Sequence, residues 1–123
     1  MNARDAADFC AEWLPAWTGA DAARLAAFYS PDVFYADPAR PAGVRGRQDL
    51  ERYFERLLAR FPEWVWTHDR SLPLDDGFVN FWSCDLKRGE AAFQGVCIVQ
   101  FKDGLIARNE VFFDPTPLRG GHS

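Results

Sequence analysis

The spacing of apolar residues changes from helical to alternating at Pro62. Between Arg47 and Arg60, Leu50, Tyr53, Phe54, Leu57 and Leu58 recur at i, i+3, i+4 and i+7, and Phe61 continues the stripe. Pro62 lacks a backbone donor and stops this helix. From Trp64 onward the period is two: "WVWTHDRSL" sets Trp64, Trp66 and His68 on one face of a strand and Val65 and Thr67 on the other. A stripe of period 3.6 followed by alternation cannot belong to one kind of element, so the chain combines helices with a sheet.

The remaining punctuation fills in that plan. "PLDDG", "KRGE" and "KDG" read as turns, separating strands "FVNFWSCDL", "AAFQGVCIVQF" and "LIARNEVFF". The tail "DPTPLRGGHS" is Pro- and Gly-rich and is expected to fray. Ahead of Pro62, Arg4 to Thr18 carry Phe9, Cys10, Trp13, Leu14 and Trp17 on one helical stripe. Pro15 kinks or ends that helix, and Gly19 is its C-cap. Asp21 then caps a short helix over "AARLAAFY", which faces Leu25, Phe28 and Tyr29 inward. Ser30-Pro31-Asp32 breaks it, Val33 to Ala36 is a short strand, and Gly43 to Gly46 is a loop. With 123 residues and no repeat or linker, the chain fits a single domain, 1–123. The expected class is α+β: three N-terminal helices packed on a strongly curved, mainly antiparallel sheet. Such a sheet wraps into a cone-shaped α+β barrel whose open end suits a small ligand.

Composition narrows the partners. Eleven Phe, five Trp and three Tyr exceed the needs of a small core, and point to a ring-lined cavity or interface, or to a Phe-rich core. The net charge is −4, and the basic residues are scattered apart from Arg45, Arg47 and Arg52, which argues against nucleic acid. No apolar run approaches the roughly 18 residues of a membrane span, and "MNARDAADFC" has no apolar core of a secretory signal. Cys10, Cys84 and Cys97 are odd in number and lack CxxC spacing. They read as free, buried thiols in a reducing compartment, so the expected location is cytoplasmic. No second His, Cys or carboxylate stands at ligand spacing from His68, so neither a metal nor another cofactor is expected.

The order of elements, with "FYADP" after the second helix and "FKDGLIARNEVFFD" near the end, resembles the nuclear transport factor 2-like (NTF2-like) superfamily. It looks closest to the branch of SnoaL-like polyketide cyclases and ketosteroid isomerases, over about Ala6 to Asp114. In ketosteroid isomerases the Asp of a "DP" pair is the general base, which this resemblance carries to Asp37. The isomerase's carbonyl-polarising tyrosine falls on Trp13, its protonated Asp on Cys97, and a supporting tyrosine on Phe54, with Tyr53 beside it. Trp13 offers one N–H and Cys97 a weak S–H. Losing one strong donor of this kind costs roughly two to three orders of magnitude in rate. In the SnoaL-type cyclases the acid–base Asp sits on the last strand, at or beside Val111 here. Its neighbouring carboxylates are Asp114 at the strand end and Glu110, which alternation turns away from the pocket.

Asp37 therefore has two readings, a turn residue before Pro38 or a base against aromatic walls. His68 is either its partner or a strand histidine bonded to a neighbour. Trp13, Trp17, Trp66, Trp82 and Phe113 are candidates for the pocket wall or for core. Asn109, an amide in an apolar strand, needs a partner. In the alignment that the resemblance gives, it points into the pocket, where it could meet a substrate carbonyl or hydroxyl. Arg40, Arg45 and Arg47 would cluster at the mouth or simply be solvated. The resemblance leaves isomerisation, cyclisation, dehydration and hydrolysis open, acting on a small apolar molecule. The alternative is a non-catalytic ligand-binding or dimerisation module. A homodimer through the outer sheet face, using Val79, Phe81, Glu110 and Phe112, is expected.

Overall fold

The structure, a computed structural model, describes residues 2–19, 21–60, 64–86 and 93–114. Phe61, Pro62, the "KRGE" turn, Ala91, Ala92 and the tail beyond Asp114 lie outside the described residues. The elements run α1 (Ala3–Trp13), a single 3-10 turn (Leu14–Trp17), α2 (Ala22–Ala26), β1 (Tyr29–Asp37), β2 (Arg40–Arg45) and α3 (Arg47–Arg60). Four strands follow: β3 (Trp64–Leu74), β4 (Gly77–Leu86), β5 (Phe93–Lys102) and β6 (Leu105–Phe113).

Local chemistry explains most of these boundaries. Asn2 and Asp5 form a reciprocal cap at the start of α1, with the Asp5 N–H donating to Asn2 Oδ1 at 2.8 Å. Pro15 ends the regular helix and lies within the four-residue 3-10 turn, Leu14–Trp17. Asp21 caps α2 by accepting from the Arg24 N–H at 3.1 Å.

Three expectations are corrected. First, α2 stops at Ala26 and not at Tyr29, because the Phe28 carbonyl accepts from the Ile106 N–H at 2.9 Å and draws Tyr29 into the sheet. Second, Ser30-Pro31-Asp32, expected to break the helix ahead of a strand over Val33 to Ala36, lies inside β1, which already starts at Tyr29. There the ladder to β6 slips between Tyr29 and Phe34, so Pro31 withholds no ladder bond. Third, the segment read as a loop at Gly43 to Gly46 contributes to β2, an edge strand paired with β1. β3 also runs on through Pro73 and Leu74, so the turn to β4 is shorter than "PLDDG".

The sheet order is β2-β1-β6-β5-β4-β3. Every neighbouring pair is antiparallel except β1 with β6, which is parallel. The fold is α+β, as the change of period requires. β2 and β3 are the sheet's edges, so no ladder among the described residues closes a barrel. The β1–β2 hairpin also separates α3 from the first two helices. α1 packs on β3 and β4, and α3 packs on β1 and β2. Between these layers, Trp13, Leu25, Tyr29, Phe54, Leu58 and Phe78 are almost wholly buried.

Cys10, Cys84 and Cys97 are unpaired and buried in this layer. Burial pushes the Cys10 and Cys84 thiols from the ordinary 9.0 up to about 12, and raises Cys97 as well. The folded state holds these protons more tightly than the unfolded chain. Its stability is therefore fully present below pH 9 and lost as pH rises from there toward 12. The native protein is expected to be inert to a thiol reagent at pH 8 and to release three reactive thiols only in denaturant. Rapid native labelling of any one of them would overturn this placement.

Candidate functional site

Asp37 ends β1, and its two carboxylate oxygens do different work. Oδ1 accepts from the backbone N–H groups of Ala39 and Arg40, each at 2.9 Å, which closes the turn into β2. Oδ2 accepts from the hydroxyls of Tyr35 at 2.8 Å and Tyr53 at 2.6 Å. The sequence posed turn residue and pocket carboxylate as alternatives; this geometry makes Asp37 both. The side chain is 7% exposed.

The two phenols arrive from different elements. Tyr35 stands two residues before Asp37 on the same strand face. Tyr53 comes from the inner stripe of α3. Burial first, then the Asp37 carboxylate, raises the pKa of both phenols above the ordinary 10.0, so they stay neutral donors. The Arg40 guanidinium lies over the Tyr53 ring at 5.7 Å.

The carboxylate and phenols form one end of a cavity of about 170 Å³. All five tryptophans of the chain, Trp13, Trp17, Trp64, Trp66 and Trp82, line it, with Cys97, Asn109, Val111 and Phe113. Asp37 is the one carboxylate among the lining residues. The rings hold each other in tilted and edge-on contacts, as with Trp17 and Trp66 at 5.5 Å and Trp66 and Trp82 at 4.7 Å. Gly95 on β5 makes room for this wall. A Cβ there would lie 2.3 Å from Trp82 Cζ2, so only glycine lets the indole lie flat across the strand.

Asn109 sits at the register position shared by Tyr35 on β1 and Val99 on β5. It is 0% exposed, and its Nδ2 donates to the Tyr29 hydroxyl at 3.0 Å. The Trp13 indole approaches the same hydroxyl without reaching hydrogen-bond geometry.

Nine of the eleven candidate residues thus meet in one cavity: Asp37, Trp13, Trp17, Tyr53, Trp66, Trp82, Cys97, Asn109 and Phe113. Two lie elsewhere. His68 is half-buried on the inward sheet face, where its Nδ1 shares a hydrogen bond with Asn80 Oδ1, and it makes no bond to Asp37. The strand bulges just beyond it, between His68 and Arg70. Phe54 is fully buried behind the wall, its ring 5.1 Å from Trp17 and 5.5 Å from Tyr35. Tyr35 and Gly95 were not singled out in the sequence. The signal for Tyr35 was its i−2 spacing from Asp37; nothing local marks Gly95.

A second, more open hollow of about 390 Å³ between β2 and α3 is edged by Arg40, Arg45, Arg52 and Arg56. All four are exposed, Arg52 pairs with Asp49 at 3.3 Å, and Arg45 stacks on Phe34 at 4.8 Å. This is solvated surface. Among the described residues no cluster of three or more metal-ligating side chains occurs, and no helix is long and apolar enough to cross a membrane.

The profile of the SnoaL-like domain matches residues 10–109. The chain belongs to the SnoaL-like family. Solved structures agree in fold. A candidate isomerase of the SnoaL-like family from Agrobacterium tumefaciens str. C58 is 18% identical over 90% of this chain and 98% of its own, with a TM-score of 0.77. A SnoaL-like protein of unknown function from Burkholderia thailandensis E264 is 19% identical over 93% and 98%, also at 0.77. A Catenulispora acidiphila protein with a ketosteroid isomerase-like fold, solved in complex with trimethylamine, is 18% identical over 89% and 88%, at 0.75. No curated protein matches this SnoaL-like chain. At these identities the likeness concerns the fold, and the chemistry has to be argued from the cavity itself.

Proposed function

We propose that this SnoaL-like protein binds a small, largely apolar molecule in the ring-lined cavity and moves a proton on it, with Asp37 as general base. The observation that carries this is Asp37 Oδ2, the carboxylate oxygen held at the cavity end by two neutral phenols. For Oδ2 to accept a proton, one phenol bond opens and the freed O–H turns to the oxygen of the ligand. Base and acid then act on adjacent ligand atoms without a cofactor. Trp13 and Cys97 stand where the isomerases keep strong donors. Burial holds the Cys97 thiol protonated, so the site polarises a carbonyl weakly and favours substrates that ionise easily.

A second reading is a non-catalytic ligand carrier. It is favoured by the four donors that already occupy the Asp37 carboxylate. The two part on deuterium exchange at the benzylic α-carbon of phenylacetone, a readily ionised ketone, followed by NMR. The enzyme reading expects exchange above buffer and a loss of roughly 100-fold or more in Asp37→Asn, with phenylacetone binding retained. Binding without exchange in the native protein leaves the carrier.

A homodimer through the outer sheet face completes the proposal. Register aligns Leu72, Val79 and Ile98 in one row across β3, β4 and β5, and Phe81, Val96 and Phe112 in the next across β4, β5 and β6. Leu72 is 47% and Phe112 51% exposed, an apolar patch that suits burial against a second copy. Glu110 faces the same side, bonded to Arg108 at 3.2 Å. Sedimentation at micromolar concentration is expected to show a dimer that Phe112→Arg converts to monomer. A monomeric native protein would remove this part.

A further inference from the structure

Two phenols donate to Asp37 Oδ2, and their surroundings differ. Tyr35 stands on the same strand as Asp37 and is almost wholly buried. Its ring lies 5.5 Å from Phe54, 5.8 Å from Tyr53 and 6.4 Å from Trp17, a packed cluster that pins its hydroxyl against Oδ2. Tyr53 comes from α3. Among the described residues it alone lines both the ring-lined cavity and the arginine-edged hollow, so its ring is the partition between them.

Charge separates the two phenols further. A donor to an oxygen that gains negative charge works better as its own proton becomes more acidic. Burial, then Asp37, Tyr53 and Tyr29 all raise the Tyr35 phenol. Burial and Asp37 raise Tyr53 as well, but Arg40 and Arg56 pull it back down. Both arginines edge the hollow, where Asp49 is the one carboxylate. The Arg40 guanidinium, 5.7 Å over the Tyr53 ring, lies well inside the screening length of about 8–10 Å in physiological salt.

We infer that Tyr53 is the catalytic donor of the pair, turning its O–H to the ligand oxygen, while Tyr35 stays on Oδ2 and positions the carboxylate. In the step, a C–H bond of the ligand breaks and its proton goes to Oδ2. The bonding pair moves onto the adjacent ligand oxygen, and Tyr53 hydrogen-bonds that oxygen. The arginines behind Tyr53 stabilise the charge as it forms. This rests on Asp37 acting as the base.

Phenylalanine at either position removes one bond from the same carboxylate oxygen, so the two variants are matched. Deuterium exchange at bound phenylacetone is expected to fall roughly 100-fold or more in Tyr53→Phe, and to fall at least tenfold less in Tyr35→Phe. Both variants keep a ring in place. Phenylacetone affinity, read from tryptophan fluorescence, is therefore expected to stay within about threefold of native. A merely structural Tyr53 would lose affinity and melting temperature together. Arg56 is exposed and does not line the cavity. Arg56→Gln is expected to slow exchange roughly two- to fivefold in the native background and not at all beside Tyr53→Phe. Should Tyr53→Phe fail to fold, Arg56→Gln in the native background decides. Equal losses in the two phenylalanine variants, a larger loss in Tyr35→Phe, or native-rate exchange in Arg56→Gln would overturn the inference. Exchange that Asp37→Asn abolishes and Tyr53→Phe spares would sink Tyr53 alone, whereas no exchange in the native protein would remove the base with it.

Discussion

Asp37→Ala is expected to lower the melting temperature by roughly 10–20 °C, while Asp37→Asn lowers it by only a few degrees. Alanine removes the acceptor of four donors at once: two backbone N–H groups in the turn and two phenols at the cavity end. Leaving such groups bare at a buried site costs about 3–5 kcal/mol. Asparagine keeps one oxygen, and asparagine is itself a good turn residue, so the β1–β2 hairpin survives. Its amide then faces the phenols, whose hydroxyl hydrogens can rotate away so that their oxygens accept from the amide N–H. The pair of variants thus separates the structural oxygen from the chemical one. A melting temperature of Asp37→Ala within about 2 °C of native would show that the hairpin does not depend on Oδ1.

This double duty marks where the sequence could be read and where it could not. The change of period at Pro62 foretold helices combined with a sheet, because hydrophobic periodicity survives folding almost unaltered. The edges of elements were decided elsewhere. The pairing of Phe28 with Ile106 spans most of the chain, and no local pattern announces it. The same pairing converts a helix end into the first residue of β1 and carries the strand past Pro31. The candidate site was largely legible, since aromatic residues at alternate strand positions were bound to share one face. Two placements were not. His68 shares the parity of Trp64 and Trp66, but its ring is held by Asn80 just before the strand bulges. Phe54 shares the helical stripe of Tyr53, but the neighbouring position on a helix is turned about 100° away. Tyr53 reaches Asp37 while Phe54 faces the interior.

Phe54→Ala carries the second large expected effect and tests that last distinction. The ring is 0% exposed and packs against Trp17 at 5.1 Å, Tyr29 at 5.5 Å, Tyr35 at 5.5 Å and Tyr53 at 6.3 Å. Removing a buried Phe costs about 3–5 kcal/mol through lost transfer energy and the void left behind. A drop of roughly 10–20 °C in melting temperature is expected. Because Phe54 supports the wall and does not form it, the affinity for phenylacetone at 15 °C, where the variant is still folded, is expected to fall by less than tenfold. A ring in direct contact with the ligand would behave the other way, with affinity lost and stability nearly kept. The void behind Trp17 and Tyr35 would also let those rings relax backward, enlarging the cavity. The variant is then expected to accept bulkier substituents on the probe ring that the native protein rejects. Measuring both quantities on one variant shows whether stability and binding divide between Phe54 and Tyr53, adjacent residues on a single helix.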